Sequence, residues 1–192
     1  REWLPNALRV YLIGDFNDWQ EDEQFALKRV NAHGDWQLSI PSGLVHHGQL
    51  YRMKVYWMDG CGERLPAWTR RVVQDPVTMQ FSAQVWCPEK PYQFKCKDFR
   101  PSNDALFIYE SHIGMATTEE RVGTFDEFRQ NVLPRVARLG YNAIQLMAIQ
   151  EHPYYGSFGY HVSNFFASSS RFGTPEQLKQ LIDEAHQMGI AV

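Results

Sequence analysis

The apolar residues of this chain change their spacing near residue 105, and that change governs what it can fold into. Before it they recur at every second position. Tyr51, Met53, Val55 and Trp57 alternate with Arg52, Lys54 and Tyr56, the pattern of a strand with one buried face. Leu8 to Ile13, Phe25 to Val30 and Trp36 to Ile40 read as further short strands. They are separated by the turn-forming runs Gly14-Asp15-Phe16-Asn17-Asp18 and His33-Gly34-Asp35, and Asp59-Gly60 turns the chain again. Short strands at this spacing predict a β-sandwich over residues 1–104. Pro88, Pro91 and Pro101, interspersed with Lys90, Lys95 and Lys97, predict an exposed connection at its end.

Beyond residue 105 the period lengthens. Leu106 to Tyr109 is a short apolar strand. Thr124-Phe125-Asp126-Glu127 is a capping box, after which Phe125, Phe128, Val132, Leu133, Val136 and Leu139 share one helical face. Pro134 lies inside that helix and should kink it or shift its start. Gly140 stops it. A buried strand, Ala143 to Ile149, follows. Thr174-Pro175-Glu176-Gln177 opens a second helix, with Leu178, Leu181, Ile182, Ala185 and Met188 as its apolar face. Gly189 ends it, and Ile190-Ala191-Val192 begins a third strand. The order β-α-β-α-β predicts a parallel sheet with right-handed crossovers. A closed (β/α)₈ barrel needs eight such pairs over roughly 250 residues, and about two and a half are present. The sheet is therefore expected to be incomplete. The chain opens at Arg1 rather than Met, so both ends are expected to be cuts in a longer polypeptide.

Composition removes several classes of function. A net charge of -3 and a pI of about 6.2 leave no electrostatic footprint for nucleic acid. No apolar run is long enough to span a membrane, and no basic-then-apolar opening marks a secretion signal. Cys61, Cys87 and Cys96 are odd in number and form no C-x-x-C pair, which predicts reduced thiols in a cytoplasmic protein. His112 and His152 lack metal-ligand spacing, so neither a metal nor another cofactor is expected. Aromatic residues make up 14% of the chain. Their faces suit sugar rings, although β-rich cores use them as well.

Two stretches resemble a known family. Gly14-Asp15-Phe16-Asn17-Asp18-Trp19, followed by Gly34-Asp35-Trp36, is similar to the glycogen-binding module that precedes the catalytic barrel in branching enzymes and isoamylases. The second stretch begins with the run from Leu139 to Ile149 and Glu151-His152. It continues through Ser157-Phe158-Gly159-Tyr160 and Ser169-Ser170-Arg171-Phe172-Gly173-Thr174-Pro175. It resembles the opening of the catalytic barrel in glycogen branching enzymes of the α-amylase superfamily. The resemblance implies an immunoglobulin-like sandwich of the early set, residues 1–104, and then the first units of a truncated (β/α)₈ TIM barrel, residues 105–192. It implies retaining transglycosylation in glycogen biosynthesis, with α-glucan (glycogen or amylose-like chains) as the partner. One carboxylate attacks the anomeric carbon of an α-1,4 linkage, a second carboxyl protonates the leaving oxygen, and a glucan 6-hydroxyl then accepts the chain. The family carries those carboxyl groups on later strands, so no catalytic residue is expected within this chain. A non-catalytic glucan-binding protein and an isoamylase-type debranching hydrolase remain as alternatives. The Asn142 to Ile149 run and the Ser157 to Tyr160 motif weigh against the latter.

The same resemblance singles out substrate-binding residues. Tyr160 matches a tyrosine that stacks under the sugar at the cleavage site. Its competing reading is a packing aromatic in a loop that already holds Tyr154, Tyr155 and Phe158. His161 stands where the family usually has Gln. Trp19 matches a tryptophan that stacks on glucan, and otherwise reads as a core residue closing its turn. Trp68 is a second candidate for that face, whereas Trp36 falls in a strand and reads as core. Glu110, Glu151, His112 and His152, at strand ends, are expected to hydrogen-bond loop backbone.

Overall fold

The computed structural model describes residues 1–102 and 105–192. The boundary expected at residue 104 lies outside the described residues. The chain gathers into two compact units. One holds Arg1–Glu89 with Asn164–Ala167, and the other holds Lys90–Ser163 with Ser168–Val192.

The first unit is a sandwich of two antiparallel sheets. Strands β1 (Glu2–Trp3), β4 (Asp35–Gln37) and β3 (Lys28–Arg29) form the smaller sheet, in that order. The larger one runs β2 (Arg9–Gly14), β5 (Leu50–Trp57), β8 (Phe81–Gln84), β7 (Val72–Gln74), with β6 (Gly60–Arg64) also on β5. The alternation read from the sequence sets which face is inside. Met53 and Val55 of β5, with Val10 of β2, pack against Leu27, Trp36 and Ala7, while Arg52 and Lys54 point the other way. Trp36 is core, as expected, and its indole N–H donates to the Leu4 carbonyl at 3.0 Å. The strand expected from Phe25 to Val30 starts later and is broken, with Ala26 making a single antiparallel bridge to Tyr11. Asp22 caps a 3₁₀ turn at Glu23–Phe25, which takes Phe25 out of the strand, and Lys28–Arg29 form its paired part. A local side-chain acceptor competes there with the sheet ladder.

In the second unit β9 (Ile108–Ser111) pairs in parallel with β10 (Ala143–Leu146), and Ala191 bridges to Ala143, also in parallel. The capping box forms as predicted. The Glu127 N–H donates to Thr124 Oγ1, and the Thr124 N–H donates to the Glu127 carboxylate. The helix it opens is not regular. Helix α1 (Phe125–Glu127) passes into a π turn (Phe128–Val132) before α2 (Leu133–Arg138), which carries Pro134 in its first turn. Pro134 has no N–H for the carbonyl four residues back, and its ring crowds that carbonyl. The helix widens instead, and the Leu133 N–H reaches back five residues to the Phe128 carbonyl. The extra residue resets the phase of the apolar face. Leu133 and Val136 are buried, but Leu139, expected on the same face, is 65% exposed.

Helix α3 (Pro175–Gln187) has the predicted cap at Thr174, reciprocated by Gln177. Its Leu181 and Ala185 are buried, whereas Met188, beyond its end, is exposed. The segment expected as an exposed connection is fastened to this helix. Asp183, fully buried, accepts hydrogen bonds from the Tyr92 hydroxyl (2.7 Å) and from the backbone N–H groups of Lys95 (3.0 Å) and Cys96 (2.9 Å). Phe99 stacks on His186 with ring centroids 4.1 Å apart. A buried carboxylate must find donors, and this strap supplies them. Among the described residues no helix is long and apolar enough to cross a membrane.

Candidate functional site

Trp19 stands at the end of the turn that closes β2. Asn17 folds the turn back, accepting from the Gly14 N–H (2.9 Å) and donating to the Leu12 carbonyl (3.0 Å). Asp15 does two tasks. One carboxylate oxygen accepts from the Leu50 N–H (2.7 Å), tying the turn to β5, and the other accepts from the Trp19 indole N–H (2.9 Å). The Trp19 backbone is left-handed, at φ 58°, a conformation that non-glycine residues seldom adopt. Its indole is thus held by the edge rather than sunk into the core. The Arg52 guanidinium lies over the ring, 5.5 Å from its centroid. Arg52 is itself fixed, donating to the Phe81 carbonyl and Ser82 Oγ and pairing with Glu63 at 2.8 Å. A partly exposed indole with a fixed edge and a cation beside it offers both an apolar face and hydrogen-bond donors.

Trp68 is 61% exposed, but its ring stacks on Phe166, with centroids 4.5 Å apart and planes 20° from parallel. One of its faces is therefore taken. Trp68 was expected to share a face with Trp19. Among the described residues no ring contact joins the two indoles, and each has its own neighbours.

In the second unit Tyr160 follows a 3₁₀ turn at Tyr155–Ser157 and two left-handed residues, Phe158 (φ 52°) and Gly159 (φ 89°). Its ring is 63% exposed, so it does not serve the core. Its N–H donates to the Ser157 carbonyl at 3.1 Å. The adjoining His161 N–H meets Ser157 Oγ at 3.4 Å.

Glu151, His112 and His152 hydrogen-bond backbone groups as expected, whereas Glu110 meets a side chain on the neighbouring strand β10. Glu151 is fully buried and accepts from the backbone N–H groups of Ser170 (2.7 Å) and His152 (3.1 Å). Glu110 accepts from the Gln145 side chain at 2.7 Å. His152 lies 3.0 Å from the Gln150 carbonyl through Nδ1, and His112 lies 2.8 Å from the Phe158 carbonyl through Nε2. Cys61, Cys87 and Cys96 are free thiols. Among the described residues no group of three or more His, Cys, Asp or Glu side chains could hold a metal ion. Each unit by itself presents an exposed or partly exposed aromatic face, Trp19 in the first and Tyr160 in the second, suited to flat apolar ring surfaces edged with hydroxyls.

Three features escaped the sequence reading. Arg52 was visible only as a polar residue on the outer face of β5, Asp183 as one charge in an amphipathic helix, and Asp15 as a turn former. Only the alternation in β5, which puts Arg52 on the face opposite Met53 and Val55, carried a usable signal.

Comparison with known proteins matches both units. Residues 1–78 match the model of carbohydrate-binding module 48 (isoamylase N-terminal domain), and residues 109–192 match the α-amylase catalytic domain. The whole chain is 46% identical to a 1,4-alpha-glucan-branching enzyme of Aspergillus oryzae, over 29% of that protein. It is 47% identical to a branching enzyme of Dictyostelium discoideum, again over 29% of its length. The chloroplastic/amyloplastic branching enzyme 2-2 of Arabidopsis thaliana is 44% identical, with 24% of it covered. The chain thus spans under a third of the length of these relatives. Among solved structures, a pullulanase from Bacillus acidopullulyticus superposes with a TM-score of 0.75, covering 98% of this chain and 26% of that one at 17% identity. A Group B Streptococcus pullulanase gives 0.73, covering 98% of this chain and 30% of that one at 20% identity. At these identities the likeness concerns the fold alone.

Proposed function

Because this chain belongs to the 1,4-α-glucan-branching enzyme family, we propose that its parent protein cleaves α-1,4 glucan chains and transfers them to a glucan 6-hydroxyl. The product would be the α-1,6 branches of glycogen. The observation that carries this reading is the identity of 44–47% to branching enzymes, which extends over both units. In this proposal the sandwich, residues 1–104, is immunoglobulin-like and holds glucan. Residues 105–192 form the first β/α units of a (β/α)₈ barrel.

The chemistry assigned to the parent is retaining, which needs two carboxyl groups about 5–5.5 Å apart. We place neither of them in this chain, since Glu110 and Glu151 are engaged in holding strands and loops. The chain's part is to bind and orient. Tyr160 offers its exposed ring as a platform under the sugar whose bond is cut. Trp19, with Arg52 beside it, holds glucan at the sandwich, and Trp68 adds a weaker contact there. Three free thiols support a reducing, cytoplasmic setting.

The test is to incubate the full-length parent with amylose. The expected result is a fall in iodine absorbance with new α-1,6 proton signals and no net rise in reducing ends. A rise in reducing ends without new branch signals would identify a hydrolase and overturn the reading.

A further inference from the structure

The Phe158 carbonyl, in the turn that carries Tyr160, is met by a side chain from 46 residues earlier. His112 directly follows β9, is 9% exposed, and brings Nε2 to within 2.8 Å of that oxygen. A carbonyl oxygen can only accept, so Nε2 must carry the proton. The other ring nitrogen, Nδ1, is buried and has no hydrogen-bond partner among the described residues. Tyr155, Phe158 and Phe172 meet the ring edge-on at centroid distances of 6.5, 6.3 and 5.6 Å. The imidazole is thus given over to a single bond.

That bond holds a turn which does not hold itself easily. Phe158 and Gly159 are both left-handed, and so is Ala148, against which the turn presses. A Cβ at Gly159 would stand 2.5 Å from the Ala148 carbonyl oxygen and 2.9 Å from the Ala148 Cβ, so only glycine fits there. A left-handed Phe is strained and persists only where its surroundings impose it. Within the loop, Ser157 Oγ receives the Gly159 N–H at 3.3 Å and donates to the Tyr154 carbonyl at 2.7 Å. His112 reaches the turn from outside the loop. Tyr160 has little packing to fix it, so its place follows from the backbone of this turn.

We propose that His112 is a positioning residue for Tyr160. By gripping the Phe158 carbonyl, it holds the left-handed turn and so sets where the Tyr160 ring stands toward a glucan. The proposal rests on the reading of Tyr160 as a sugar platform. A platform works only if it is held rigid, because small misplacements of a contact group cost much of its effect.

Three variants of the full-length parent test the proposal: His112→Ala, which removes the donor, His112→Gln, whose amide N–H can replace it, and Tyr160→Ala. Hydrogen exchange is followed at the amides of Gly159, Tyr160 and His161, and maltoheptaose affinity is titrated alongside. His112→Ala is expected to speed exchange at these amides by about tenfold while the α3 amides keep their rates. It is expected to weaken maltoheptaose binding by about fivefold, and His112→Gln to restore both properties in large part. In a Tyr160→Ala background, His112→Ala is expected to change the affinity no further. Unchanged exchange in His112→Ala, no rescue by Gln, or an undiminished affinity loss without Tyr160 each overturns the proposal. If Tyr160→Ala binds as the parent chain does, the platform reading fails by itself, and the exchange data still decide whether His112 holds the turn.

Discussion

The Tyr92 hydroxyl donates to the Asp183 carboxylate at 2.7 Å, joining residues 91 positions apart. With the Lys95 and Cys96 N–H groups on the same carboxylate, this contact turns a proline- and lysine-rich stretch into a strap along α3. Asp183→Ala would leave three donors without their acceptor, each worth about 1–3 kcal/mol when buried and unpaired. The expected loss is on the order of 3 kcal/mol or more, with early proteolytic cleavage between residues 90 and 102. Denaturant melts and limited trypsin digestion measure the two.

The same contact makes the strap sensitive to pH at both ends of the scale. Burial pushes the Asp183 carboxyl up, but the Lys95 N–H, the Tyr92 hydroxyl and the Cys96 N–H outweigh it, and the net effect lies below the ordinary Asp range. Its contribution is complete above the unfolded value, near 4, and is lost as pH falls through the lower folded value. Tyr92 is raised to about 12, by burial first and then by the bond to Asp183. Its share is present below the unfolded value, near 10, and is lost as pH rises toward the folded one. Tyrosine absorbance and strap proteolysis should change together in that alkaline window, and in Asp183→Asn the Tyr92 titration should move down.

The π turn predicts an asymmetry between two leucines that simple helical spacing treats alike. Leu133 is fully buried and Leu139 is 65% exposed. Leu133→Ala should cost about 2–5 kcal/mol, and Leu139→Ala about 0.5 kcal/mol or less. Chemical denaturation of the two variants separates the cases, and equal losses would contradict the reset phase.

The two tryptophans should differ in the same way. Trp19→Ala is expected to weaken maltoheptaose binding to the sandwich by about tenfold, the loss of one stacking face. Trp68→Ala should weaken it by about twofold or less, because Phe166 already occupies one side of that ring. Calorimetric titration of both variants compares them directly.

At the start of α1, Thr124→Ala should cost about 1 kcal/mol, the usual worth of a hydroxyl cap. Glu127 answers that cap, and it is held down to about 2 by the Arg121 guanidinium first and by Thr124 next. Its contribution is complete above about 4.3 and is lost as pH falls toward the folded value. Melting curves from pH 5 to pH 2 should therefore converge for Thr124→Ala and the unaltered chain.

By itself the sequence determined what depends on near neighbours. The alternation in β5, the caps at Thr124 and Thr174, the stop at Gly140 and the place of Trp36 in the core follow from residues a few positions apart. So did the family, carried by the run from Leu139 to Ile149 and the Phe158-Gly159-Tyr160 turn. Only the tertiary structure decided the rest. It showed that of the two outcomes open to Pro134 the helix takes the shifted start, with Pro134 in the first turn of α2 after a π turn, and it left Leu139 exposed. It set Arg52 over Trp19, Phe166 against Trp68, His112 on the Phe158 carbonyl and the strap on Asp183. Each of these pairs residues far apart in the chain, and a buried polar group takes whichever donor or acceptor the fold brings within about 3 Å.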